Sequence, residues 1–437
     1  MQSLFFFIVA LSILVVVHEF GHFWVARRCG VKVLKFSVGF GRPLWKKLGH
    51  DGTEYILAAI PLGGYVKMLD EREGDVPPEQ LKQAFNKKSL AARTAIVAAG
   101  PIANLLFAVF AYWLIFIMGI PGIRPIIGEV ATDSPAAYAQ FKIEDEIKRV
   151  NDSKTPTWSS VRKALYKISE SGGVATITVE TGGIEVHKEL EIPKVSLEHA
   201  ATKPLLQDLG FKQIEYRPIV GKVIVDEAAD KSGLLEGDML YAFEGKIIAT
   251  WTEWVTIIQA HPNMEMDITI DRAGEQINLA ITPNEDAIIG VGVAVPDEFK
   301  TELRYGVVEA VGYAVQETWD FSSSTVKGLA GMLVGTVSSK NIGGPITIAQ
   351  IAGASAEQGL TAFIYFLAMI SVSLGILNLL PIPILDGGHL VMNLIEWVKG
   401  KPLSENAQLQ GQKIGIILLL SLMFLAFFND LSRLFGL

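Results

Sequence analysis

The sequence predicts a multi-pass α-helical membrane protein. Four transmembrane helices are expected, with two small α+β domains inserted between the second and the third. Three observations predict this. Half of the 437 residues are hydrophobic and the mean hydropathy is positive, +0.36. Four separate segments are apolar over lengths near the roughly 20 residues that a helix needs to cross a bilayer core. The stretch between the second and third of these repeats itself.

The first span runs from about Leu4 to Ala26. It could pass for a signal peptide, but no Lys or Arg precedes it and no small-residue cleavage site follows it cleanly. Its basic flank, Arg27, Arg28, Lys32 and Lys35, is on the C-terminal side, so that end is cytoplasmic by the positive-inside rule. Lys87, Lys88 and Arg93 place the start of the second span, about Thr94 to Ile120, inside as well. The chain from Pro121 to Gly359 is then extracytoplasmic. The third span, about Leu360 to Leu380, returns. Lys399, Lys401 and Lys413 mark a short inner loop, and the fourth span, about Ile414 to Phe428 with room to extend toward Leu434, ends outside.

In the outer region "RPIIGEV" begins at Arg124 and "RPIVGKV" at Arg217, an offset of 217 − 124 = 93 residues. The same offset carries Asp145 onto Asp238 and Thr157-Trp158 onto Thr250-Trp251. "VATITVE" and "MDITIDR" alternate with the period of a half-buried strand. Two related domains are therefore expected, at 123–203 and 214–296. "SGLLEGDMLYAFEGKII", Ser232 to Ile248, resembles the PDZ signature, whose Gly-Asp pair makes a tight turn. The first copy has Glu144 where that glycine is expected. PDZ domains take peptides by strand addition, and the alternative is a pair of spacers or gates. The segment 297–359 then links back to the membrane. Within it Val308, Val311, Val315 and Trp319 form an apolar stripe, either for a helix on the outer membrane face or for one packed on the protein itself.

The chemistry is concentrated in the first span. His18-Glu19-Phe20-Gly21-His22 is an H-E-x-x-H motif. Residues i and i+4 share a helix face, so both imidazoles reach one cation, and zinc is the usual one. The glutamate then serves as general base. Inside a spanning helix such residues are disfavoured unless they work, and the alternative is a hydrogen-bonded cluster between helices. His18 precedes Arg27 by nine residues, roughly 13 Å at 1.5 Å per residue, so the motif lies within the bilayer, nearer the cytoplasm. A third ligand is needed. "NLLPIPILDGGH", Asn378 to His389, follows the third span on the same side and offers Asp386 and His389. Pro381 and Pro383 break the helix there, which at membrane depth is tolerated only against protein or a water-filled cavity.

H-E-F-G-H in a first helix, N-x-x-P-x-P-x-L-D-G after a third, and a PDZ pair between the second and third resemble the site-2 protease family of intramembrane zinc metalloproteases. "FGRPLW" (Phe40 to Trp45) and "GPIANLL" (Gly100 to Leu106) match it too, and the likeness covers nearly the whole chain. The resemblance implies Zn2+ on His18, His22 and Asp386, with Glu19 as catalytic base. It implies substrate handling by Asn378, Pro381 and Pro383, and a membrane-reentrant β-hairpin from Lys35 to Met68. "KFSVGF" and "TEYILAAI" would be its strands, the alternative being an ordinary cytoplasmic hairpin. It implies, for one bacterial branch, a Gram-negative inner membrane with both termini and the PDZ pair periplasmic. The substrates implied are single-pass membrane proteins: a pre-cut anti-sigma factor in an envelope-stress response, and signal-peptide remnants.

Other classes fit less well. The net charge of −8 and the lack of any basic run speak against nucleic-acid binding. Cys29 is the only cysteine, so no intrachain disulfide forms. A non-catalytic PDZ scaffold would not need Glu19 and a full ligand set. A metal transporter would be expected to carry inverted repeats, whereas this repeat is direct and outside the spans.

Overall fold

The computed structural model describes residues 2–195, 205–401 and 403–435. The chain divides into two units, Met1–Ile120 with Arg304–Leu437, and Pro121–Leu303.

In the first unit the helices are α1 (Gln2–Arg28), α2 (Leu90–Met118), α3 (Glu309–Val334), α4 (Pro345–Gln358), α5 (Leu360–Leu379), α6 (Asp386–Lys399) and α7 (Glu405–Leu434). Among the described residues α1, α2, α5 and α7 are the helices long and apolar enough to cross a membrane. They are the four expected spans. α7 is longer than the apolar run Ile414–Phe428 because its last turns have work to do. Asp430, only 2% exposed, accepts hydrogen bonds from Gly344 N–H and Ile346 N–H (2.8 Å each) and from Thr347 Oγ1 (2.6 Å). It thereby satisfies donors at the start of α4 that no helix satisfies internally. Asn429 Nδ2 donates to Ser339 O and Ile342 O, and Arg433 donates to Lys340 O. The polar end of α7 is a clamp on the turn before α4.

Two strands, β1 (Val33–Leu48) and β2 (Glu54–Met68), follow α1. Each bends, so the pair makes a small sheet rather than a simple hairpin. Trp45 to Leu48 pair antiparallel with Leu57 to Glu54, and Lys35 to Val38 pair antiparallel with Lys67 to Gly64. The inner arms also meet, Lys35 with Glu54 through Val38 with Leu57. Those partner numbers rise together, which is the sense of a parallel pair. Among the described residues the arm 64–68 therefore has a strand neighbour on one side only. Two apolar cores bracket the middle of α1. Toward its start, Ala10 and Leu14 pack with Ala352, Phe366 and Leu367. Toward its end, Phe23 and Ala26 pack with Val31, Val33, Phe36 and Ile96. α3 buries Ala310, Ala314 and Thr318 and packs on α2 and α5. It leaves Val308, Val311, Val315 and Trp319 exposed, so packing on the protein uses a neighbouring face, about 100° round the helix from the apolar stripe.

In the second unit the elements recur at the offset of the sequence repeat. Strand Ile127–Val130 answers Val220–Val223, Glu146–Val150 answers Met239–Phe243, and helix Trp158–Ser169 answers Trp251–Gln259. The expected first domain ends at 203, and its last residues, 196–203, lie outside the described ones. Its core continues through Leu205, Leu209 and Phe211, where Phe211–Gln213 pairs with Ile127–Val130. The first copy is thus closed by a strand beyond the expected boundary. Glu144 takes the left-handed conformation of the glycine it replaces, φ 69° against 94° at Gly237. The turn hydrogen bond is the same in both copies, Glu144 N–H to Ile127 O and Gly237 N–H to Val220 O, each 2.8 Å. A side chain in this region costs about 1–2 kcal/mol, so the first copy keeps the turn at some expense.

Candidate metal centre

α1 and α2 pack closely because the positions between them are small. A Cβ on Gly21 would collide with Ala99 O. This brings α2 beside the histidine face of α1. Gly100 leaves the space that the rings fill, and a Cβ there would run into His22 Nε2. His22 Nδ1–H donates to Ile96 O at 2.8 Å, which leaves Nε2 as the atom with a lone pair. His18 Nδ1 faces the amide nitrogen of Asn104 at 3.2 Å, and Asn104 is fully buried.

The third member comes from the far end of the chain. α5 ends at Leu379, and Pro381 and Pro383 shape a tight turn before α6. The turn can close over the start of α6 because Gly387 and Gly388 have no side chains. A Cβ on either would strike the carbonyls of Leu380 or Ile382. Asp386 opens α6, where a carboxylate is favoured by the helix dipole. Its Oδ2 lies 3.2 Å from His18 Nε2 and 3.4 Å from His22 Nε2, and the two Nε2 atoms are 3.3 Å apart. Asp386 Oδ2 is buried and, among the described residues, without a hydrogen-bond partner. Two imidazole nitrogens and an orphaned carboxylate oxygen converging in this way form a donor set of the kind zinc takes in enzymes, with one coordination position left open. The three ligand atoms all lie within 4.8 Å of one another, and among the described residues this is the group that could hold a metal ion. His389, the other candidate, is outside it.

α6 is held where it presents Asp386. Arg93 on α2 forms a two-point ion pair with Glu396, Nη2 to Oε1 2.6 Å and Nη1 to Oε2 3.1 Å. Asn393 Nδ2 donates to Thr94 Oγ1 beside it.

Glu19 is adjacent in sequence to His18 and turns toward the sheet. A Cβ on Gly64 would sit 3.0 Å from Glu19 Cγ and 2.8 Å from Val15 Cγ1, so the singly paired arm of β2 runs alongside it. Asn378 is in the last turn of α5, half-buried, and Pro381 and Pro383 are in the turn that follows. Sequence reasoning did not assign roles to Ile96, Gly100 and Asn104, which hold the two rings from α2. The available signal was an asparagine in a lipid-spanning helix, where an unpartnered amide is costly.

A family model described as peptidase family M50 matches residues 6–422. The chain is 45% identical to a regulator of sigma-E protease RseP of Salmonella typhimurium and 46% identical to that of Escherichia coli, each alignment covering 98% of both chains. It is 45% identical, over 98% of both chains, to a protein of Vibrio cholerae named as a putative zinc metalloprotease.

Proposed function

The chain belongs to peptidase family M50, and on that premise we propose that His18, His22 and Asp386 hold its zinc and that Glu19 is its catalytic base. The protein is an intramembrane zinc metalloprotease. The observation that carries the residue assignment is the convergence of His18 Nε2, His22 Nε2 and Asp386 Oδ2 within 3.2–3.4 Å, with both histidines on a helix apolar enough to span a bilayer.

When bound there, zinc supplies Lewis acidity that polarises a carbonyl and acidifies water. The remaining work falls to the side chains. Glu19 takes a proton from the attacking water as its oxygen bonds to the scissile carbonyl carbon. It returns the proton to the amide nitrogen as the C–N bond breaks. A substrate helix hides its backbone groups in its own hydrogen bonds, so it must be unwound first. The arm 64–68 of β2, paired on one side and passing Glu19, supports a reading in which the unwound segment is held by strand addition. Asn378, Pro381 and Pro383, in and after the last turn of α5, are assigned to substrate handling in this reading.

The sheet carries exposed Phe40, Leu44, Trp45, Leu48, Leu57 and Ile60, an apolar surface that supports a membrane-reentrant position for 35–68. The signature at Ser232 to Ile248 and the recurring elements support two PDZ domains in 123–296. In this reading they and both termini are periplasmic, in a bacterial inner membrane. They either bind peptide or admit only substrates whose outer part has been trimmed. The relatives named for sigma-E support an anti-sigma factor as substrate, with signal-peptide remnants as a second class.

The test is cleavage of a labelled single-pass substrate by the purified, reconstituted protein. The wild type cuts, a zinc chelator stops it, and restored zinc revives it. Glu19→Gln retains zinc and loses activity by at least about 100-fold. Equal cleavage by that variant sinks the assignment of Glu19.

A further inference from the structure

The two histidines are oriented by different kinds of group. His22 Nδ1–H points to Ile96 O, a backbone carbonyl that can only accept. Its tautomer is therefore fixed by the fold. His18 Nδ1 faces the side-chain amide of Asn104, whose two ends have opposite hydrogen-bonding character. In the structure the nitrogen end is turned to His18, and Oδ1 is buried without a partner among the described residues. An amide nitrogen can only donate, so this orientation suits the tautomer whose Nδ1 is bare and whose ring proton is on Nε2. Nε2 is the atom that faces His22 and Asp386.

We propose that Asn104 is a positioning residue that sets the tautomer of His18, and that in the zinc-binding form its Oδ1 accepts from His18 Nδ1–H. This rests on the metal-centre reading. A neutral imidazole has one proton, and a ligating Nε2 must give it up to Nδ1. Nδ1–H then needs an acceptor, and of the two ends of Asn104 only Oδ1 can serve. A half-turn about the Cβ–Cγ bond exchanges the ends. Asn104 is fully buried and is anchored through its backbone carbonyl, which accepts from Ser371 Oγ at 2.8 Å, so the amide can turn without the backbone moving.

Two variants of the full chain separate this from a packing role. Asn104→Asp presents an acceptor from either oxygen and mimics the carboxylate–histidine–zinc arrangement. Asn104→Leu has nearly the same shape and no acceptor. Zinc affinity is read by competition with a chromogenic chelator, and thermal stability is read on the metal-free protein. Asn104→Leu is expected to be as stable as the wild type without metal and to bind zinc about 10- to 100-fold more weakly. Asn104→Asp is expected to be less stable without metal, because a carboxylate is buried, and to bind zinc as tightly as the wild type. The two readouts thus rank the variants in opposite orders. Wild-type zinc affinity in Asn104→Leu overturns the proposal, as does equal weakening in a folded Asn104→Asp. Should Asn104→Leu not fold, 15N spectra of zinc-loaded, histidine-labelled wild type decide. A proton on His18 Nδ1 that is coupled through a hydrogen bond to the side-chain amide of Asn104 supports the proposal, and a proton there without that coupling, or no proton, overturns it. If His18→Ala leaves zinc affinity unchanged, the metal-centre reading itself has failed, and the proposal falls with it.

Discussion

Glu19 and Asp386 are both carboxylates at the proposed centre, and their surroundings support the different tasks proposed for them. Asp386 has its oxygen turned to two imidazole nitrogens, whereas Glu19 turns to the sheet arm that passes Gly64. Asp386→Asn is therefore expected to lower zinc content, measured by elemental analysis, while Glu19→Gln is expected to leave it intact. Equal zinc loss in both would merge the two roles. Gly100 is the third decisive position, since any side chain there displaces His22. The sequence displayed the H-E-x-x-H pattern openly, because i and i+4 spacing is a property of one helix. Asp386 over His389 was legible only through resemblance. Which of the two reaches the ring nitrogens depends on a turn whose shape is set by Gly387, Gly388 and the two prolines. Glu144 gives a prediction of a different kind. Glu144→Gly relieves a left-handed side chain and is expected to stabilise the first repeat by about 0.5–1 kcal/mol after the entropy of glycine is counted. A chemical-denaturation midpoint that falls instead would contradict this.

Between elements, a few polar contacts fix what the apolar faces leave free. The Arg93–Glu396 pair joins α2, which holds both histidine rings, to α6, which carries Asp386. Glu396→Arg alone is expected to weaken zinc binding several-fold and to be partly repaired by adding Arg93→Glu. Zinc affinities that simply add would show that the pair does not act as a unit. In the second unit each repeat buries an aspartate at the same register but finds it a different cation. Asp145 takes Lys188 Nζ at 2.6 Å, and Asp238 takes Arg272 Nε and Nη2 at 2.7 Å each. Burial alone pushes the Asp238 carboxyl up, but the hydrogen bonds from Arg272 and from Leu235 N–H hold it below its ordinary value. A carboxylate lowered on folding contributes stability above its unfolded pKa of about 3.9, and that stability is lost as pH falls through the lower folded value. Thermal unfolding of the full chain, followed by fluorescence of the tryptophans near these cores, should therefore weaken below about pH 4. In Asp238→Asn the protein should be less stable at pH 7 and should lose less on acidification. The repeat register was readable from "RPIIGEV" and "RPIVGKV", but these cation partners were not, because Lys188 and Arg272 stand on strands that do not correspond.

On the scale of the whole chain, the apolar spans were the most legible feature, since their length is dictated by the bilayer itself. Less legible were the bent sheet and the polar end of α7. The sheet depends on pairings between arms of two strands, and the clamp of Asp430 on α4 joins residues 83 positions or more apart. The inserted repeats lead to a gating prediction. Fusing a bulky folded domain to the outer end of a substrate should block its cleavage, and deletion of residues 123–296 should relieve the block. If the block persists after deletion, the size filter lies elsewhere. The central claim is hydrolysis within the membrane by the centre of His18, His22, Asp386 and Glu19. Mass-spectrometric mapping of the bond cut in a single-pass substrate, reconstituted in vesicles with the zinc-loaded protein, tests it most directly. The expected cut lies within the spanning segment, in its cytoplasmic half, and is missing with Glu19→Gln. A cut confined to the water-exposed flanks, or one made equally by that variant, would contradict it.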